Sequence, residues 1–270
     1  MEKRLLRKQV HVEGCEIFYW DGGSPREADP ILFLHGWGVT AEPYRETLES
    51  LSQSYRVIAP DLPGFGDSGS THADLTYADY ARLFTRFLNQ LGLERSHVIG
   101  HSLGGGIAVT LAVSEPSRIS SLVLTDSTGV PTDSFIQTLL WRILVEMPAQ
   151  ILTTGPKVQY FVDVPQAFFQ NLLFRAPNVA YALWLALETD LRPLLGKITA
   201  PTLLVWGEND LTTPLKSGQQ FYQNIPEVEL AVVAGAYHEL SLALAEKFTP
   251  IVLKFLAKIE NSSNQNLSVV

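Results

Sequence analysis

Gly100-His101-Ser102-Leu103-Gly104 is the stretch on which the fold reading turns. It follows a short apolar strand, His97 to Ile99, and leads into a helix of small residues from Gly105 to Val113. Glycine two residues before and two after a serine lets a strand turn sharply into a helix, because no Cβ blocks the approach of the two segments. The serine at the apex is expected in a strained backbone conformation with its hydroxyl exposed. The positive end of the following helix then faces any negative charge that develops there. A glycine-rich turn with a capping serine would read the same way. The rest of the chain separates the two readings.

Strand and helix signals alternate on both sides of this turn, the mark of a largely parallel sheet covered by helices. Gln9 to Val12 and Cys15 to Trp20 read as a hairpin joined at Glu13-Gly14. Ile31 to Leu34 is a buried strand that ends in His35-Gly36-Trp37-Gly38, and a helix follows from Ala41 to Ser52. Arg56 to Ala59 is a strand running into the loop Asp61 to Ser68, before an amphipathic helix from Tyr77 to Leu91. Ser121 to Leu124 is another strand, ending at Asp126. The alternation then stops. From Ser127 to Gly196 the chain is apolar, aromatic and helical in period, well beyond ordinary loop length. Pro201 to Trp206 restores the strand pattern, followed by a helix (Lys216 to Asn224), a strand (Glu229 to Val233) and a last helix (Leu242 to Ile259). The expected organisation is an α/β core, 1–126 and 197–260, interrupted by a helical cap, 127–196, with a disordered polar tail, 261–270.

The 270 residues are 46% hydrophobic and 18% charged, enough apolar material for a large soluble core. The net charge of −8 argues against nucleic acid as a partner, since phosphate binding needs a basic face. The basic cluster Lys3, Arg4, Arg7 and Lys8 is not followed by an apolar run suited to secretion, and no stretch is long enough to span a bilayer. Cys15 stands alone, so no internal disulfide forms. A cytoplasmic protein is the simplest expectation.

A serine hydroxyl needs a base, commonly a histidine held by a buried carboxylate. Of six histidines, His238 differs from the others. It lies just past the last core strand, in a loop at the carboxyl edge of the sheet, where ligand sites gather. The carboxylate should leave the preceding strand. Asp210, in Trp206-Gly207-Glu208-Asn209-Asp210, does so and ranks first, although Asn-Asp is also an ordinary turn pair. Glu208 is expected to point into solvent. Asp126 is the alternative acid. An oxyanion needs backbone donors. The amide of Leu103, directly after the serine, and that of Trp37, between Gly36 and Gly38, are the candidates.

Taken together these pieces resemble the α/β-hydrolase fold: an oxyanion loop at His35 to Gly38, the Asp61 to Ser68 loop, the serine turn, the Asp210 turn and the His238 loop, in the chain order serine, acid, histidine. The resemblance covers Gln9 to Ile259. It implies a mostly parallel eight-stranded sheet, Ser102 as nucleophile, Asp210 as acid, His238 as base, and Trp37 and Leu103 as an oxyanion hole. One departure is Tyr237, where the family usually has a small residue; it could narrow the site or shift the imidazole.

Serine at the nucleophile position argues against epoxide hydrolases and haloalkane dehalogenases, which resemble this fold but carry aspartate there. Carbon–carbon bond hydrolases of the fold often show asparagine where this chain has His101, which weighs lightly against them. No His/Cys cluster has metal-ligand spacing and no G-x-G-x-x-G opens a helix, so neither a metal nor a dinucleotide cofactor is expected. The 127–196 segment looks like the helical cap of many family members. Its Phe135, Leu139, Trp141, Phe161, Phe168, Phe169, Phe174 and Trp184 are expected mostly to pack it onto the core, with some lining an apolar gap above Ser102. Arg142 and Arg175 could bind a carboxylate, though solvated surface roles are the simpler expectation. The expected activity is a cofactor-independent serine hydrolase acting on a small or medium apolar carboxylic ester. Carbon–carbon or thioester hydrolysis, and a receptor that keeps the fold without turnover, are the alternatives.

Overall fold

The computed structural model describes residues 5–23, 28–70, 72–131, 135–154 and 162–267. Eight strands form one sheet in the order β1-β2-β4-β3-β5-β6-β7-β8. The hairpin β1 (Leu6–Val12) and β2 (Cys15–Gly23) turns at Glu13-Gly14, both at positive φ, and pairs in register from Val12 opposite Cys15 to Leu6 opposite Asp21. β2 lies antiparallel to β4 (Arg56–Pro60). From β4 across β3 (Ile31–Leu34), β5 (Ser96–His101), β6 (Ile119–Thr125), β7 (Thr202–Gly207) and β8 (Val228–Val233) every pairing is parallel. The strands match the expected ones, each running a residue or more longer except β3, which is unchanged, and β7, which is shifted one residue toward the C-terminus.

Strand residues alternate between two apolar layers, as the pleat requires. Leu32 and Leu34 face one layer, with Phe84 and Phe87 of α2 (Tyr77–Gln90), Ile107 and Leu111 of α3 (Leu103–Ser114) and Phe221 of α8 (Leu215–Asn224). Ile31 and Phe33 face the other, with Leu48 and Leu51 of α1 (Arg45–Ser52) and Phe248 and Val252 of α10 (Ala245–Leu267). With both faces covered, the central strands are continuously apolar. α2 starts in a capping box, in which Thr76 and Asp79 satisfy each other's backbone N–H. α3 is apolar on every side because it is buried on every side.

Between β6 and β7 the described residues form helices joined by short connections. α4 (Phe135–Trp141) passes through a π-helical turn, Arg142–Glu146, into α5 (Met147–Thr154). α6 (Val164–Glu188) follows, then the short α7 (Arg192–Leu195). α6 bends at Arg175, two residues before Pro177, whose ring and missing N–H break the helical ladder. Only one face of α6 packs inward, through Ala167, Asn171, Asn178, Ala182 and Leu185. Phe169, Phe174 and Trp184 therefore lie on the outer face, 67%, 72% and 51% exposed, and Trp141 of α4 is exposed too. This corrects the expectation that most aromatic residues of this segment pack onto the core: a helix resting on a sheet edge buries one stripe, whatever its composition. Phe168 does turn inward. The side chains of Phe135 and Leu139, and Phe161, lie outside the described residues.

The chain closes with α9 (Leu240–Ala243) and α10. α10 continues to Leu267, through much of the stretch expected to be a disordered tail. Extending an existing helix adds one hydrogen bond per residue without a new nucleation penalty, so a polar sequence can continue it. Among the described residues no helix is long and apolar enough to cross a membrane.

Candidate active site

Ser102 sits at φ 51°, ψ −117°, a strained conformation for a residue with a Cβ. Its surroundings enforce it. Its N–H donates to the Thr125 carbonyl at 3.1 Å, and its own carbonyl accepts from Thr128 N (3.1 Å), Thr128 Oγ1 (3.0 Å) and Gly105 N (2.9 Å). The flanking glycines are required by backbone proximity. A Cβ at Gly100 would stand 2.4 Å from the Gly104 carbonyl oxygen, and one at Gly104 would stand 2.2 Å from that of Leu34. The Ser102 hydroxyl makes no cap to its own helix and instead lies 3.0 Å from Nε2 of His238.

His238 follows β8 in the loop before α9, fully buried. Its Nδ1 is 3.0 Å from Oδ2 of Asp210, so the ring spans from carboxylate to hydroxyl. Asp210 is held in a turn of its own: Oδ1 accepts the N–H groups of Thr212 and Thr213, both at 2.8 Å, and the Thr213 hydroxyl lies 2.7 Å from Oδ2. Burial pushes the imidazole of His238 down, but the charge and hydrogen bond of Asp210 outweigh it, and the net shift is upward.

Asp126, the alternative acid, does not meet the imidazole. It sits at φ 44° at the end of β6, and its Oδ1 accepts the N–H of Gly207 at 2.8 Å, tying β6 to β7. Burial, then the charge of Asp210, raises its carboxyl well above the usual range. Its strand is one further from β8 than that of Asp210, and its Oδ1 is taken by main chain while Oδ2 lies 3.4 Å from the Thr125 hydroxyl. Glu208 is exposed as expected and accepts the N–H of Gly235.

Gly36, Trp37, Ser102 and His238 line one cavity of about 40 Å³. Trp37 is anchored by its indole N–H, which donates to the Val179 carbonyl at 2.7 Å, and by an edge-on contact with Phe168 of α6. Leu103 is buried at the first turn of α3. Tyr237 is not among the residues lining the cavity, and the imidazole beside it keeps both its contacts.

Further residues shape the site. Tyr44 accepts the N–H of Gly36 at 3.2 Å and places its hydroxyl 2.6 Å from Nδ1 of His101. His101 in turn donates from Nε2 to the His238 carbonyl at 2.8 Å. Burial pushes the His101 pKa down to about 4, so the ring is neutral. Arg142 is not a solvated surface residue. It lines the cavity, pairs with Glu239, lies 3.8 Å from Glu146, and donates to the Thr212 hydroxyl at 2.9 Å. Burial would raise the Glu239 carboxyl, but Arg142 holds it down at about 2. Arg175 stays half-exposed at the bend of α6. Adjacency to His238 was a signal for Glu239; nothing in the sequence marked Glu146 or Tyr44.

A sequence profile of the alpha/beta hydrolase fold matches residues 29–153. A 2-hydroxy-6-oxononadienedioate/2-hydroxy-6-oxononatrienedioate hydrolase of Dechloromonas aromatica (strain RCB) is 30% identical over 264 residues, 89% of this chain and 90% of that protein. The chain belongs to the α/β hydrolase fold family. It is a hydrolase. A 2-hydroxy-6-oxo-6-phenylhexa-2,4-dienoate hydrolase of Burkholderia cepacia is 28% identical to this hydrolase over 95% of its length and 94% of the relative's. Among solved structures, a membrane phospholipase A described as a bacterial virulence factor superposes with a TM-score of 0.81 at 27% identity, over 95% of this hydrolase and 87% of that chain.

Proposed function

We propose that this hydrolase works through an acyl-enzyme on Ser102, with His238 as base, Asp210 as the acid that orients it, and the amides of Trp37 and Leu103 as oxyanion donors. The observation that carries this reading is the unbroken line of contacts from Asp210 Oδ2 through both nitrogens of His238 to the Ser102 hydroxyl, 3.0 Å at each step. His238 takes the serine proton as the Ser102 oxygen bonds to a substrate carbonyl carbon. It returns that proton to the leaving group, and a water activated by the same imidazole releases the acyl group. The helical segment between β6 and β7 acts as a cap. At about 40 Å³ the covered cavity is far below the roughly 300 Å³ of a small-ligand site, so substrate entry requires the cap to move.

For the substrate, the relatives favour cleavage of a carbon–carbon bond beside a ketone over the ester expected from the sequence. In that reaction the leaving group is a stabilised carbanion, and His238 protonates the departing carbon. The presence of His101 in place of asparagine weighs little against the whole-length likeness of such hydrolases. One observation supports an ester as the second reading. Arg142, the one Lys or Arg side chain among the described lining residues, is already paired with Glu239, which leaves no unpaired cation there for the carboxylate of a dienoate.

Incubation with a 2-hydroxy-6-oxo-dienoate ring-fission product and, separately, with p-nitrophenyl esters decides between them by relative kcat/KM. Ser102→Ala is expected to abolish both turnover and fluorophosphonate labelling while leaving the fold intact. Undiminished turnover in that variant would end the acyl-enzyme reading.

A further inference from the structure

Glu146 is a fully buried carboxylate that acyl transfer does not use. It ends the π-helical turn Arg142–Glu146, on the segment between β6 and β7. Its Oε1 accepts two backbone N–H groups, that of Leu211 at 2.9 Å and that of His238 at 3.2 Å. Its Oε2 accepts the Thr212 hydroxyl at 2.5 Å and lies 3.8 Å from the Arg142 guanidinium. One oxygen thus bridges the main chain of two loops: the residue after Asp210 and the histidine itself.

All four neighbours present donors and none an acceptor, the surroundings of an ionised carboxylate. The charged and titratable groups of other elements that act on it are Asp210 from the loop after β7, His238 from the loop after β8, and Asp126 from the end of β6. Arg142 from its own turn opposes their charge. Burial, and after it the charge of Asp210, raises the Glu146 pKa, so this carboxylate is held at an energetic cost. A side chain that served only to fasten the helical segment would need no such arrangement, since Arg142 already pairs with Glu239. The His238 peptide is gripped on both sides: its N–H by Glu146 and its carbonyl by His101.

We propose that Glu146 is a positioning residue, which sets the spacing between the Asp210 and His238 loops and so the alignment of the imidazole on Ser102. The proposal rests on Ser102 as nucleophile and His238 as base. Replacing Glu146 by an apolar residue would leave the N–H groups of Leu211 and His238 and the Thr212 hydroxyl buried without this acceptor, and the loops would rearrange to find another. Loss of its charge would also remove support for the protonated imidazole.

The test is the rate of fluorophosphonate labelling of the full chain between pH 5 and 9, which needs no knowledge of the substrate. Glu146→Ala is expected to slow labelling at pH 7 about tenfold or more. Glu146→Gln, which keeps an amide oxygen for the two N–H groups, is expected to recover to within about threefold of wild type and to move the acid limb down by about half a pH unit. Labelling of the alanine variant at the wild-type rate, or a glutamine variant as slow as alanine, would overturn the proposal. Should the alanine variant fail to fold, the glutamine variant decides alone: a lowered acid limb supports the proposal and an unmoved one overturns it. Absence of labelling in the wild type would instead remove the serine hydrolase reading beneath it.

Discussion

Nε2 of His101 donates a hydrogen bond to the carbonyl oxygen of His238 at 2.8 Å, so the residue preceding Ser102 in the chain also holds the main chain of the imidazole facing it. Its other nitrogen accepts from the Tyr44 hydroxyl, which in turn accepts the N–H of Gly36 in the loop after β3. Three parts of the site are thereby tied to one neutral ring.

Replacing His101 by alanine strands the Tyr44 hydroxyl and the His238 carbonyl in a buried place. The expected loss of stability is about 2–3 kcal/mol, read as a lowered denaturant midpoint at unchanged m-value. Labelling of Ser102 should also slow, about tenfold, because the imidazole loses one of its restraints. Since burial holds the His101 pKa at about 4, this ring should contribute no limb to the pH profile above pH 5.

In the proposed mechanism the working base is neutral imidazole, and the His238 pKa is raised in the folded protein. A raised pKa keeps the ring protonated to higher pH, so the acid limb of kcat/KM should lie above the ordinary histidine value of about 6.5. Asp210→Asn removes the carboxylate that raises it; the limb should fall and the rate drop by about 10⁴, as expected when a triad carboxylate is lost. A limb at or below 6.5 in the wild type would contradict the charge balance drawn from Asp210.

Asp126→Asn should separate the two carboxylates. Asparagine tolerates the positive φ at this position and can still accept the Gly207 N–H. The native carboxyl is pushed toward its neutral form, so activity is expected within about threefold of wild type, with stability unchanged to within about 1 kcal/mol. A loss comparable to that of Asp210→Asn would reassign the acid.

Arg142 is the counter-charge to Glu239 and Glu146. Arg142→Met keeps the length but leaves two carboxylates unbalanced in a buried site, and should lower stability by about 3 kcal/mol, measured by urea unfolding at pH 7. The deficit should shrink as pH falls and the carboxylates take up protons.

Gly104→Ala would drive a methyl group to 2.2 Å from the Leu34 carbonyl oxygen, a backbone atom in the central strand β3. No side chain can move to relieve it. The variant is expected to lose about 3 kcal/mol or more and to accumulate as insoluble protein, whereas an alanine at Gly14, whose added Cβ meets open space, should lose only about 1 kcal/mol from its positive φ.

Much of this molecule was legible in one dimension. The turn around Ser102, the strand–helix alternation and the order of the five loops at the sheet edge follow from features that neighbours in the chain decide: where a Cβ is excluded, where apolar residues repeat with period two or 3.6, where a strand must end. Those local rules also located His238 and ranked Asp210 above Asp126. That ranking left Asp126 open, because both leave adjacent strands at the same edge; strand register and loop packing put Asp210, and not Asp126, against Nδ1. The local rules gave no hint of Glu146, whose partners Leu211 and His238 are 65 and 92 residues away. Nor could they tell which aromatic residues of α6 face out, since composition alone does not say how much of a helix its support covers. Backbone conformation is set by nearby residues, but a hydrogen bond between distant segments exists only once the whole sheet has brought them together.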